Sequence, residues 1–323
     1  MSNYRVGVLG CASIAKRMVI PAVNECDSTS LVKIASRTED QAKTWSAQHG
    51  CGHAKSYDDL LADPDIDIIY IPLPTGLHYE WIMKSLEAGK HVLAEKSIAH
   101  EREFVEKIIE YAKKKNLAVF ENFMFKHHPQ FDFAKQQVAE GAIGKLTLLR
   151  SSFGFPPFKD DNIRYQQELG GGALLDAGAY TCMAAQIFLG KGIRVAGSTL
   201  CIDSRYDVDT LGAAQLRNSH NQIAQLAFSF DNYYQCNIEL WGTQGKLTME
   251  RSFTAGPGIR PKVVIERQDE RKEYTLPAAN HFSLLLSSMT DSLDKGDWSG
   301  ETETILEQAR LINDIKQQAT VND

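Results

Sequence analysis

Val6-Gly7-Val8-Leu9-Gly10-Cys11-Ala12-Ser13-Ile14-Ala15 joins a short apolar run to a G-x-A-x-x-A spacing. As a strand, a tight turn and a helix start, such a segment places a pyrophosphate on a helix N-terminus. Gly10 supplies the turn, and Ala12 stands where the backbone must approach the phosphates. Ala15 lets helix and strand pack closely, with Ser13 and Ile14 completing the loop. Alone, the pattern also fits an ordinary βα turn; its place at the head of a βαβ unit selects the dinucleotide reading. An NAD-specific site carries Asp or Glu about 20 residues further on, to hold the ribose 2′-hydroxyl. Here the sequence reads Ser36-Arg37-Thr38. A carboxylate would repel a 2′-phosphate, whereas a guanidinium and hydroxyls bind it. The expected cofactor is therefore NADP(H), and the expected chemistry is hydride transfer. His127-His128 has no H-x-x-x-H or carboxylate spacing beside it, so no metal is expected. Gly242-Thr243-Gln244-Gly245-Lys246 is too short for a phosphate loop and reads as a turn.

The elements that would carry these residues follow from periodicity. Val6–Leu9, Leu31–Ala35, Ile66–Ile71, His91–Ala94 and Leu117–Phe120 are apolar runs of strand length, separated by helical patterns. In 101–115, Phe104, Val105, Ile108, Ile109 and Ala112 fall on one helix face, and three lysines close the helix at its negative end. Such an array predicts a doubly wound parallel sheet of Rossmann type over residues 1–122. After a helix over 129–140 the pattern changes. Strand-like stretches at 146–155, 193–202, 211–216, 223–230, 234–241 and 262–266 predict an antiparallel sheet in a second domain, 123–323. Ile305, Ala309, Ile312, Ile315 and Ala319 form one stripe of a closing helix.

At 323 residues the chain suits two domains, and 43% hydrophobic with 24% charged residues is ordinary for a globular protein. A net charge of −6 without a basic block excludes a nucleic-acid partner. No apolar run approaches the roughly 20 residues of a membrane span, and no signal peptide is expected at the N-terminus. The six cysteines form no C-x-x-C pair, which suits a reducing, cytoplasmic setting. Leu226, Phe228 and Phe230 alternate along one strand and are expected to form a subunit interface of a homodimer or homotetramer.

Three further segments carry a resemblance. They are Pro72-Leu73-Pro74-Thr75-Gly76-Leu77-His78, then Ala88-Gly89-Lys90-His91-Val92-Leu93-Ala94-Glu95-Lys96, then Gly170-Gly171-Gly172-Ala173-Leu174-Leu175-Asp176-Ala177-Gly178-Ala179-Tyr180. With the N-terminal loop and Trp241-Gly242-Thr243-Gln244-Gly245, they are similar to the glucose–fructose oxidoreductase / inositol dehydrogenase / MocA family, across nearly the whole chain. That resemblance implies a Rossmann domain, a second domain built on a large open antiparallel sheet, and an active site between them. It implies substrates among pyranoses, inositols and nucleotide sugars. Two positions depart from the family pattern. Glu95-Lys96-Ser97 replaces Glu-Lys-Pro, and Tyr180 replaces the histidine of Asp-x-x-x-His. Tyrosine there resembles the branch with dihydrodiol and xylose dehydrogenases and sugar ketoreductases. Asn122 to Pro129 and Arg164-Tyr165 look closest to sugar 3-ketoreductases.

The resemblance implies roles. Lys96 would lie at the carboxyl edge of the Rossmann sheet, with Tyr180 and Asp176 facing it. Tyr180 would shuttle a proton, its acidity raised by the Lys96 ammonium, and Asp176 would bind sugar hydroxyls. The cofactor set would be completed by Pro72, Leu73, Thr75, His78 and Glu95, and the substrate set by Asn122, His128, Arg164 and Tyr165. Two rivals stand beside a keto-sugar reductase or sugar dehydrogenase: a dehydrogenase of non-sugar diols, and an inactive NADP-sensing regulator. Retention of Lys96, Asp176 and Tyr180 together favours catalysis.

Overall fold

A computed structural model describes residues 2–322. The chain forms two compact units: Met1–Met124 with Phe282–Leu306, and Phe125–His281 with Glu307–Asp323. The return of Phe282–Leu306 to the first unit departs from a simple division near residue 122.

The first unit holds strands β1 (Tyr4–Leu9), β2 (Thr29–Ala35), β3 (Gly52–His53), β4 (Ile68–Ile71), β5 (His91–Ala94) and β6 (Val119–Glu121). Their spatial order is 3-2-1-4-5-6 and every neighbouring pair is parallel. This is the Rossmann order, in which ligands meet the carboxyl ends of the strands. All four residues of β4 are buried, as a strand covered on both faces requires. Helices α1 (Ile20–Glu25), α2 (Glu39–His49), α3 (Tyr57–Leu61), α4 (His78–Glu87) and α5 (Arg102–Lys115) make the connections. On α5, Val105, Ile108, Ile109 and Ala112 are buried, and Asn116 ends the helix at φ +54°. Phe104 lies outside that buried set and stacks on Tyr79 instead.

In the second unit, α6 (Pro129–Ala139) precedes β7 (Leu146–Gly154), and α7 (Ala179–Leu189) precedes β8 (Arg194–Asp203). Then follow β9 (Val208–Arg217), β10 (Ile223–Ser229), β11 (Gln235–Gly242), β12 (Lys246–Met249), β13 (Lys262–Arg267) and β14 (Glu270–Thr275). Helix α8 (His281–Lys295) falls almost wholly in the returning stretch of the first unit, and α9 (Ser299–Gln318), which ends in the second unit, leads into β15 (Ala319–Asn322). Ala319 therefore leaves the expected helical stripe and pairs with β8. The nine strands run in the order 14-13-12-11-7-10-9-8-15. The sheet is antiparallel except where β10 lies beside β7 and β15 beside β8. The long connections between these partners supply the crossovers that parallel pairing needs.

The strand parity corrects the expected interface. Leu226, Phe228 and Phe230 are only 1–2% exposed, covered by the chain's own helices. A Cβ at Gly212 would lie 2.3 Å from the Phe228 ring, and one at Gly178 would lie 3.1 Å from it. Two glycines thus admit this ring between strand and helix. The opposite face shows Gln225 and Ala227 of β10 with Leu211 and Trp241. The Arg150 guanidinium lies over the Trp241 ring. Gln167–Leu189 is long and apolar enough by composition to cross a membrane, contrary to the reading of the sequence, but most of it is buried as a core helix is.

Candidate active site and family

In the first unit, β1 is followed by Gly10, whose φ is +125° and where a Cβ would stand 2.9 Å from Leu73 Cδ2. Only glycine suits both the backbone and that approach. The next turn is a π-helix, Ala15–Val19, running into α1, rather than a plain α-helical start. Ala15 is fully buried against the sheet, Ala12 and Ile14 are half-buried and Ser13 is exposed.

At the end of β2 the three expected phosphate ligands divide. Ser36 is buried and its hydroxyl donates to the Gln41 side-chain carbonyl. Thr38 caps α2, its hydroxyl oxygen accepting from Gln41 N at 3.4 Å. Arg37 is exposed and makes no ion pair among the described residues. No carboxylate occupies positions 36–38. The glycine cradle, with a cationic side chain open to solvent beyond it, fits a dinucleotide bearing a 2′-phosphate.

Beyond β4, Pro72 is buried while Leu73 and Thr75 are half-buried; Thr75 starts a 3₁₀ turn that leads into α4. His78 is wholly buried. Its Nδ1 lies 2.8 Å from the Ser97 carbonyl oxygen and its Nε2 2.8 Å from that of Leu73. The imidazole joins the segment after β4 to the segment after β5. Burial pushes its pKa down, against the pull of the two carbonyls.

Glu95 and Lys96, both half-buried, follow β5, and the Lys96–Ser97 peptide is cis. Glu95 accepts from the Tyr70 hydroxyl at 2.7 Å and from Asn122 Nδ2 at 2.6 Å. Burial raises the Glu95 pKa, and these donors with Lys96 oppose the rise. Asn122 is 1% exposed and belongs to this unit, where it orients Glu95. Its Oδ1 is buried with no hydrogen-bond partner among the described residues, an acceptor left open beside Glu95.

In the second unit, Asp176 sits in a π-helix, Leu174–Gly178, that continues into α7 carrying Tyr180. A π-helical turn is wider than an α-helical one. Arg164 Nε donates to Asp176 Oδ2 at 2.5 Å. The Arg164 pKa is raised, first by the Asp176 charge and further by Tyr180 and Tyr165, while burial opposes. A guanidinium therefore stands within electrostatic reach of the Tyr180 hydroxyl. The Tyr180 ring is held by Phe125, Phe153 and Phe253, at centroid distances of 5.5, 4.8 and 5.5 Å. Aromatic packing fixes the ring and leaves the residue half-buried.

Two further expected substrate ligands hold hydrogen bonds within the second unit. Tyr165 is buried and its hydroxyl donates to Asp231 at 2.5 Å; burial pushes its pKa up to about 12. His128 is fully buried, with Nδ1 accepting from Gln130 N at 3.2 Å as the α6 cap. Asp209, which the sequence reading passed over, accepts from Leu174 N at 2.6 Å at the start of the Asp176 helix. The signal in the sequence was an acid set within the alternating strand Val208–Arg217.

The match to known proteins is close to complete. A family model described as an oxidoreductase family with an NAD-binding Rossmann fold fits residues 4–123, and its C-terminal domain model fits residues 131–248. The chain belongs to the GFO/IDH/MocA oxidoreductase family. A dTDP-3,4-didehydro-2,6-dideoxy-alpha-D-glucose 3-reductase from Actinomadura kijaniata is 39% identical over 97% of this chain and 94% of its own length. One of the same name from Streptomyces violaceoruber is 36% identical over 98% and 95%. Among solved structures, KijD10, a 3-ketoreductase from Actinomadura kijaniata in complex with NADP and TDP-benzene, superposes with a TM-score of 0.96. It is 38% identical, with 99% of each chain covered. The shared fold includes the 3-2-1-4-5-6 parallel sheet and the large second sheet.

Proposed function

We propose that this GFO/IDH/MocA protein is an NADP(H)-dependent reductase of a keto group on a nucleotide-linked deoxysugar. The observation that carries the reading is the end-to-end likeness to a 3-ketoreductase crystallised with NADP and TDP-benzene. Matches to trans-1,2-dihydrobenzene-1,2-diol dehydrogenases extend over only about half of this chain, which favours a sugar substrate over a diol. The first unit takes the cofactor and the second the sugar. When bound, NADPH supplies the hydride. Gly10, Ala12, Ser13 and Ile14 would receive its pyrophosphate, and Arg37 its 2′-phosphate.

The remaining chemistry belongs to side chains of this chain. Lys96 donates to the substrate carbonyl oxygen, stabilising the negative charge that grows there. Tyr180 gives that oxygen its proton. Asp176, hydrogen-bonded to Arg164, accepts from sugar hydroxyls and sets the ring's orientation. A point from the comparison supports this assignment. Solved variants of KijD10 replace one lysine and one tyrosine, separated along that chain by the same number of residues as Lys96 and Tyr180. Self-association is part of the reading, through the exposed face that bears Leu211 and Trp241 rather than through Phe228.

The test is NADPH oxidation with dTDP-3,4-didehydro-2,6-dideoxy-α-D-glucose, compared with free keto-sugars and with trans-dihydrodiols plus NADP. Turnover is expected with the nucleotide sugar only. Preferential turnover of the diols would replace the reading. No turnover with any of them, alongside tight NADPH binding, would favour the sensor.

A further inference from the structure

Strand β9 turns Val208, Gly212, Ala214 and Leu216 inward, and Asp209 interrupts that alternation with a half-buried carboxylate. Its Oδ2 accepts the Leu174 N–H at 2.6 Å. The Ala173 N–H also contributes. Gly172, at φ +114°, has no room for a side chain: a Cβ there would lie 2.3 Å from Asp209 Oδ1. The backbone of 172–174 is thus wrapped around one carboxylate, and the helix it starts carries Asp176 and leads into Tyr180.

We propose that Asp209 is a positioning residue for the reaction, anchoring the start of this helix so that Asp176 and Tyr180 are held in working geometry. The proposal rests on the assignment of those two residues made above. It also implies pH dependence. Burial pushes the Asp209 pKa up to about 7, while the Leu174 and Asp209 backbone N–H groups and Lys316 pull it down. Lys316 of α9 lies within electrostatic reach of it. From β8 the residue opposite is Ile202, and the Leu174–Gly178 helix presents backbone N–H groups with Asp176 beyond them. Protonation removes the charge from the acceptor and turns one oxygen into a donor, which weakens the anchor. Turnover is therefore lost as pH falls through about 7.

The experiment compares wild type, Asp209→Asn, Gly172→Ala and Tyr180→Phe with NADPH and the dTDP-linked keto-sugar over pH 5.5–9. Asp209→Asn keeps the shape and one acceptor, so it should fold. Its kcat should fall about tenfold with the KM for NADPH unchanged, and its acid limb near pH 7 should disappear. Backbone amide exchange across residues 173–178 should quicken in Asp209→Asn and Gly172→Ala. Wild-type kcat, acid limb and exchange in Asp209→Asn would overturn the proposal. Tyr180→Phe separates the two levels: if it collapses turnover while Asp209→Asn behaves as wild type, the anchoring role alone fails. If Tyr180→Phe keeps full turnover, the catalytic assignment fails, and amide exchange decides whether Asp209 holds the helix.

Discussion

Tyr180 illustrates how much a single hydroxyl can be asked to do once its ring is fixed. Three phenylalanines hold the ring, so Tyr180→Phe should fold normally and bind NADPH as before. Its turnover should drop by roughly 10²–10⁴, the range for loss of a general acid, and steady-state kinetics would show it. Wild-type turnover would move the proton to another donor. Arg37 gives the second prediction at this scale. With Ser36 and Thr38 engaged with Gln41, Arg37→Ala should weaken NADPH at least about tenfold, roughly 1.4 kcal/mol, and leave NADH nearly untouched. Calorimetric titration of both cofactors measures this, and equal losses for both would remove the phosphate contact. These two residues stand out in the sequence because their residue types fall at a recognisable spacing. His78, Asn122, His128 and Tyr165 each hold a polar partner within the chain, and a sequence does not show which polar atoms are engaged in that way. A buried imidazole flanked by two carbonyls and one lining a pocket are written with the same letter.

Elements were legible where their apolar pattern was one-sided and regular. All of β4 and the buried face of α5 fall where periodicity puts them. The misses share a cause: they present little apolar signal. Strand β14 is almost wholly exposed, and β3 is a two-residue exposed edge, so neither could be read from hydrophobic alternation. The parity of β10 was clear in the sequence, but which face would be covered was not, because the covering helix lies far away in the chain. Two predictions belong here. Gly212→Ala would push a methyl into Phe228 and should lower stability by about 1–3 kcal/mol, the usual result of overpacking, visible in chemical denaturation. His78→Gln should cost about 1–3 kcal/mol by leaving a buried carbonyl unmatched. It should also raise the KM for NADPH, because the segments after β4 and β5 lose their common tie. An unchanged KM in a folded variant would restrict His78 to stability.

For the whole molecule, pH acts on stability through buried histidines. Burial holds His127 near a pKa of about 3 and His281 near about 4, against 6.5 when unfolded. Below pH 6.5 the unfolded chain takes up protons that the folded chain refuses, so stability falls steadily toward pH 4. Thermal melts at pH 7.5, 5.5 and 4.5 should show that descent, and His127→Gln should flatten it. A slope unchanged in that variant would locate the acid sensitivity elsewhere. The return of Phe282–Leu306 to the first unit bears on a different matter, the way such enzymes can be taken apart. Thr290 meets Ser28 at 2.7 Å and Asp294 accepts from the Tyr4 hydroxyl at 3.1 Å, so the cofactor-binding half is stitched from two stretches of chain. It is not a module with one cut point. A chimera that exchanges only 1–124 between relatives would pair one parent's sheet with the other parent's α8, while moving 282–306 along with it should preserve the packing.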